Sequence, residues 1–253
     1  MTPHKDKQEV HSVKHFAEEA LHDVLHFDRK FFTTMLHLVF KPGRLTTEIS
    51  TNQGSRYMKP LGLFIFINFL FFIFKSHGLL QYQLQSFTWR PLFNQYFLHK
   101  LQASRVSYEV MEASFNTSMK YTQKGYFIFL VPILALGFKV LFINQRRSYV
   151  EHLVFCLHLF SFFLLYLLIL PLLYVPIFFV FQLMGFVLPD NEVTLLSVVI
   201  PVVYLWLTVA MKRVYSENWG ITIIKSCVLI WLLLFLVGYV YRVALFYIVL
   251  HSI

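Results

Sequence analysis

Polar residues dominate the first 56 positions, and long apolar runs take over from Tyr57 onward. From His11 to Phe27, the residues Val13, Phe16, Ala17, Ala20, Leu21, Val24 and Phe27 recur at helical spacing on one face. Asp28 is placed to cap a second helix, DRKFFTTMLHLVF, which Lys41-Pro42-Gly43 ends. Both helices are too short and too charged to span a bilayer. They are expected to lie on the membrane surface or to pack under a bundle.

About 20 apolar residues cross a hydrocarbon core of roughly 30 Å. On that scale the pattern predicts spans at residues 57–80, 125–143, 149–185, 193–211 and 221–243, with an apolar tail to Ile253. Residues 81–124 form a polar connection, and Gln95 to Tyr121 read as one amphipathic helix with Phe97, Leu101, Met111 and Phe115 inward. From Leu153 to Leu188 no side chain carries a formal charge. That run is long for one span, yet no polar turn residue accompanies Pro171 and Pro176.

Loop charges favour one span there. With five spans and a cytoplasmic N-terminus, Lys41, Arg44, Arg56, Lys59, Arg146, Arg147, Lys212 and Arg213 all fall inside. The loop with Asp190 and Glu192 then falls outside. The expected fold is therefore an all-α polytopic membrane bundle. It has a cytoplasmic amphipathic region at 1–56, a transmembrane domain at 57–253, an extracytoplasmic helical loop at 81–124 and an extracytoplasmic C-terminus.

Composition agrees. The chain is 57% hydrophobic and 14% charged, against about 25% charged in soluble domains. Its net charge of +9 sits beside apolar runs, which is the positive-inside pattern and excludes a nucleic-acid stripe. Cys156 and Cys227 lie in apolar runs without a CxxC partner, so they read as small buried residues. The first apolar run starts too late for a cleavable signal peptide. Nucleotide loops, GxSxG and HExxH are absent.

Candidate chemistry concentrates where the third span begins, in SYVEHLVFCLH. Glu151 and His158 are seven apart and share a helix face, about 10 Å apart along the axis. His152 lies about a quarter-turn round. Ionisable groups inside spans usually face a bundle interior and mark a pathway or site. The structural alternative is that Glu151 pairs with Arg146 or Arg147 and orients the helix end. Arg44, Arg56 and Lys59 are candidate contacts for anionic lipid headgroups. Asn68 reads as a helix–helix hydrogen-bonding group, and Lys139 and Arg242 as anchors near span ends. His11, His15, His22 and His26 form a stripe with i,i+4 pairs that could hold a transition metal, but the stripe lies opposite the apolar face and reads first as a solvated helix face, so no metal site is expected.

Two blocks resemble a known family. One is FDRKFFTTMLHLVFKPGRLTTEISTNQGSRYMKPLGLFIFINFLFF, with its KPG and RYxxP features. The other is VPILALGFKVLFINQRRSYVEHLVFCLHLFSFFLL. Both are similar to an uncharacterised family of multi-pass inner-membrane proteins of Bacteroidetes-type bacteria, catalogued as a domain of unknown function. The resemblance implies a bacterial inner membrane and highlights Pro42, Gly43, Arg56, Tyr57, Pro60, Lys139, Tyr149, Glu151, His152, His158 and Ser161. Many members begin with a CxxCG zinc ribbon; this chain has no cysteine before Cys156.

Three functions follow as expectations. The first is a transport or membrane-assembly component with a polar Glu/His site at the cytoplasmic end of the third span. The second is an intramembrane enzyme acting on a lipid-linked substrate, with His158 as acid/base and Glu151 orienting it. The third is a scaffold whose motif is structural. Expected partners are anionic lipids and a second copy or membrane-complex subunit. No cofactor is named.

Overall fold

The computed structural model describes residues 29–74, 82–88, 90–184 and 192–253. The histidine stripe and the helix expected over 11–27 lie outside the described residues, as does Asp190. Every regular element among the described residues is helical. In chain order these are α1 (29–40), α2 (Arg44–Ser50), α3 (Pro60–Phe74), α4 (Gln85–Thr88), α5 (Pro91–Ser104), α6 (Tyr108–Tyr126), α7 (Leu130–Leu141), α8 (Tyr149–Leu183), α9 (Glu192–Tyr215), α10 (Trp219–Phe235) and α11 (Tyr241–Ser252). Among the described residues, four stretches are long and apolar enough to cross a membrane: Gly54–Phe74, Tyr149–Leu172, Thr194–Tyr215 and Trp219–Ser252. A fifth arises if the bent pair Tyr108–Gln123 and Phe127–Leu141 counts as one span. These are the helices of a multi-pass membrane protein.

Helix α8 is the central element. It runs for 35 residues through Pro171 and Pro176 without a turn, about 52 Å at 1.5 Å per residue. Its most extensive neighbours are α3 and α7. Phe155, Phe160, Leu164 and Leu167 are fully buried along it. Burial against lipid-like neighbours gives little drive to associate, so close packing and polar joints between helices carry more of the specificity here than in a soluble core.

Of two breaks in this region, the first differs from the sequence expectation and the second falls where the expected helix and the expected span meet. The amphipathic helix expected over 95–121 is two helices. Arg105 adopts a left-handed conformation (φ 55°) that ends α5, and the Ser107 side chain accepts from the Val110 amide to start α6. Phe97, Met111 and Phe115 are nevertheless buried, as the spacing predicts. The other break is the 49° bend between the α6 and α7 segments, at a 3₁₀ turn over Phe127–Phe129. Pro132 has no N–H to return to the carbonyl four residues earlier, which loosens the helix there.

The apolar tail is also helical. A π turn over Leu236–Val240 joins α10 to α11, and Phe246 of α11 packs against Phe93 with ring centroids 4.8 Å apart and planes tilted by 56°. Helices α4 to α6 and α11 thus gather at one end of the bundle. The basic turns gather at the other.

Candidate functional site

The basic end is built by the α1–α2 hairpin wedged between α8 and α9. Gly43 makes the wedge possible. It begins α2 with φ 78°, and an added Cβ would lie 2.7 Å from the Ala210 carbonyl oxygen. A side chain there would meet both a backbone penalty and α9 itself. The hairpin is then pinned at three further points. The Trp206 indole donates to the Leu38 carbonyl at 2.8 Å, Arg213 donates to the Pro42 carbonyl at 2.5 Å, and Thr46 shares a buried 2.8 Å hydrogen bond with His158 Nδ1.

Glu48 gathers the charges of α2 and the turn after it. It accepts from Arg44 at 2.7 Å and from Arg56 at 2.6 Å. Burial pulls its carboxyl up, but hydrogen bonds from Arg56, Tyr57 and Arg44 outweigh that and hold it down at about 2. His37 completes the cluster. Lys41 Nζ lies 3.1 Å from its Nε2, and the Tyr57 hydroxyl lies 2.8 Å from its Nδ1. An ammonium only donates, so Nε2 accepts and Nδ1 carries the proton toward Tyr57. Burial first, then the positive charges of Lys41, Arg44 and Arg56, hold the His37 pKa below its usual value.

At the mouth of α8, Ser148 and Glu151 form a capping box. The Ser148 amide donates to Glu151 Oε1 at 3.0 Å, and the Glu151 amide donates to Ser148 Oγ at 3.3 Å. The second carboxylate oxygen takes Arg147 at 2.9 Å. Arg147 also donates to the Val214 carbonyl at 2.7 Å, which caps the end of α9. Glu151 is therefore occupied in starting one helix and tying it to another.

His152 is fully buried and bonded through Nδ1 to the Tyr215 hydroxyl at 2.8 Å. The Tyr215 ring stacks on Phe142 at 3.8 Å. His158 is buried about 1.7 turns deeper. The Nε2 atoms of both histidines are buried without a hydrogen-bond partner among the described residues. The remaining motif residues are also engaged: the Tyr149 hydroxyl donates to the Pro132 carbonyl at 3.0 Å, and Ser161 donates back to Leu157 at 2.7 Å.

So Glu151, His152 and His158 each have their own partner on a different element. Among the described residues, no three His, Cys, Asp or Glu side chains group as a metal site. Lys59 is exposed beside the exposed Arg56, at the start of α3. Asn68 contributes no donated hydrogen bond, because its Nδ2 is buried without a partner.

Sequence reasoning passed over the partners. Thr46 looks like an ordinary residue of a polar turn, and Tyr215 like an interfacial aromatic. It also passed over Glu217, whose Oε1 takes Lys225 at 2.7 Å and Gln145 at 3.0 Å, closing the α9–α10 turn onto the α7–α8 turn. Lys225 did carry a signal, as a cation inside an apolar run.

A family model described as a protein of unknown function (DUF3667) matches residues 28–72. That stretch holds α1, α2, the KPG turn and most of α3, and so contains Thr46 but not His158. No curated protein and no solved structure matches the chain.

Proposed function

We propose that this chain is an assembly component of a bacterial inner membrane, and that its Glu151–His158 stretch is a structural joint. The Thr46–His158 hydrogen bond carries this reading. It uses the deepest histidine of the motif to hold the N-terminal hairpin inside the bundle. A translocation path or an acid/base site needs a group that reaches water or substrate. Here the carboxylate caps a helix, and both histidines are spent on other elements.

The basic end faces the cytoplasm in this reading, with cations placed for anionic headgroups. Arg44 and Arg56 keep exposed edges beside Glu48, and Lys59, Arg146 and Arg213 are accessible on the same end. On α1, Phe32, Leu36 and Phe40 follow one another at i,i+4 spacing and are all exposed. That stripe, beside Lys41, suits a helix lying in the membrane interface or against a partner subunit.

Cys156 is a native reporter for the test. It is fully buried on α8, between His152 and His158. In a Cys227→Ser background in native membranes, a water-soluble maleimide should label Cys156 only after denaturation. Rapid labelling of the folded protein would indicate a wet path beside the motif and would return the transport reading to first place.

A further inference from the structure

A second feature of the bundle lies far from the basic end and is untouched by the motif. Helices α8, α9 and α10 line a part-open cavity of about 320 Å³, within the ~300–1,000 Å³ range of small-molecule sites. Its walls are apolar: Phe163 of α8, Val199 and Val203 of α9, Leu233 of α10 and Val237 of the π turn. Polarity enters at one end only, where Tyr82 and Arg242 line it.

The geometry of that end is specific. The π turn leaves Gly238 on the cavity wall and offers the Val237 carbonyl to the Tyr82 hydroxyl at 3.4 Å. The Arg242 guanidinium lies over the Tyr82 ring, 4.8 Å from its centroid, and donates through Nη2 to the Ser86 carbonyl at 2.7 Å. Arginine has five N–H donors and no acceptor, so one carbonyl leaves most of the fork unused. Among the described residues no carboxylate pairs with Arg242. A smaller adjoining crevice is lined by Arg90 together with Arg242, and Arg90 lies over the Tyr239 ring at 5.9 Å.

Length then decides the occupant. From Ile230, at the deep end of the cavity, to Arg242 is twelve helical positions, about 18 Å. Half of a ~30 Å hydrocarbon core is about 15 Å. The slot therefore has the depth of one leaflet, with its cation at the level of the headgroups. A guanidinium facing an apolar slot is costly unless an anion meets it, and its planar fork fits phosphate in a bidentate manner.

We propose that this cavity is a binding site for an anionic glycerophospholipid of the leaflet away from the basic end, with one acyl chain in the slot and the phosphate on Arg242. The site is independent of the joint at Thr46 and His158. It stands or falls without that reading.

The test uses the full chain in nanodiscs of phosphatidylcholine and phosphatidylglycerol with identical acyl chains, followed by native mass spectrometry of retained lipid. Wild type should retain phosphatidylglycerol in preference to phosphatidylcholine. Arg242→Gln should cut that retention by about tenfold, roughly 1.4 kcal/mol, while Arg242→Lys, which keeps the charge but loses the fork, should retain only part of the preference. Gly238→Trp fills the slot from a position where an added Cβ meets nothing within 4 Å, and should lower retention of both lipids. Equal retention of the two lipids by wild type would overturn the proposal. So would phosphatidylglycerol retention that survives both Arg242→Gln and Gly238→Trp.

Discussion

Thr46 and His158 stand 112 positions apart and share a buried hydrogen bond of 2.8 Å. The bond crosses from a seven-residue helix after the KPG turn to the longest helix of the bundle. It joins the part of the chain that matches a family of unknown function to the Glu-His stretch that looks most like chemistry. This relationship turns two sequence features that seemed separate into one structural unit.

Gly43 should tolerate no side chain. Its positive φ costs an L-residue about 1–2 kcal/mol, and the contact with the Ala210 carbonyl adds to that. Gly43→Ala is expected to lower the melting temperature in mild detergent. Gly125→Ala is the control, since Gly125 is helical and its added Cβ meets nothing within 4 Å. It should be neutral or slightly stabilising. Equal effects at both sites would argue against the wedge between α2 and α9.

The capping box makes an unusual prediction for the motif glutamate. Gln also serves at the third position of such a box, so Glu151→Gln keeps the cap and loses only the part-exposed pair with Arg147. Ser148→Ala removes the cap and should cost about 1 kcal/mol. Unfolding measurements should therefore rank Ser148→Ala above Glu151→Gln. A Glu151→Gln protein that is fully stable but inactive in the cell would reverse the interpretation and make the carboxylate chemical.

Acid should loosen α2 through Glu48. Its carboxyl titrates at about 2 in the folded protein, against 4.5 for a free group. A lowered folded value means that ionised Glu48 stabilises the fold above about pH 4.5, and that this contribution is lost as pH falls toward 2. The stability gap between wild type and Glu48→Gln should thus be full near neutrality and close across that window. A gap that stays constant from neutral pH to below 3 would show that the Arg44 and Arg56 pairs do not depend on the charge.

Topology has a direct check. Asn144 and Asn218 are exposed at the basic end, and Gln102 is exposed at the other. Single cysteines at 144 and 218 should be labelled from one side of the membrane and a cysteine at 102 from the opposite side. Labelling of all three from the same side would remove the bent α6–α7 pair from the set of crossings.

The sequence was most informative where one residue type answers one physical demand. The uncharged run after Leu153, without a polar turn, reads as a single helix, and α8 is continuous through both prolines. Arg147 was one of two named partners for Glu151, because the basic turn immediately precedes the helix end that the carboxylate orients. Thr46 was not legible. Its role depends on Gly43 letting α2 approach α9 closely, and such an approach leaves no periodic trace. The break at Arg105 was hidden for a related reason: a non-glycine residue in the left-handed region carries no sequence mark. The lipid slot is a gap between three helices, and only Arg242 near the end of an apolar run pointed toward it.

A double-mutant cycle on Thr46 and His158 tests directly whether His158 is a joint. Thr46→Val leaves the buried imidazole with no partner at either nitrogen. This should destabilise the folded protein in detergent by about 1–2 kcal/mol, within the range for buried polar groups and for helix joints in membranes. His158→Leu should cost a similar amount, and the Thr46→Val/His158→Leu pair should cost less than the sum, with a coupling near 1 kcal/mol. Purely additive effects, with His158→Leu folded but functionless in the cell, would contradict the joint and mark His158 as a chemical group.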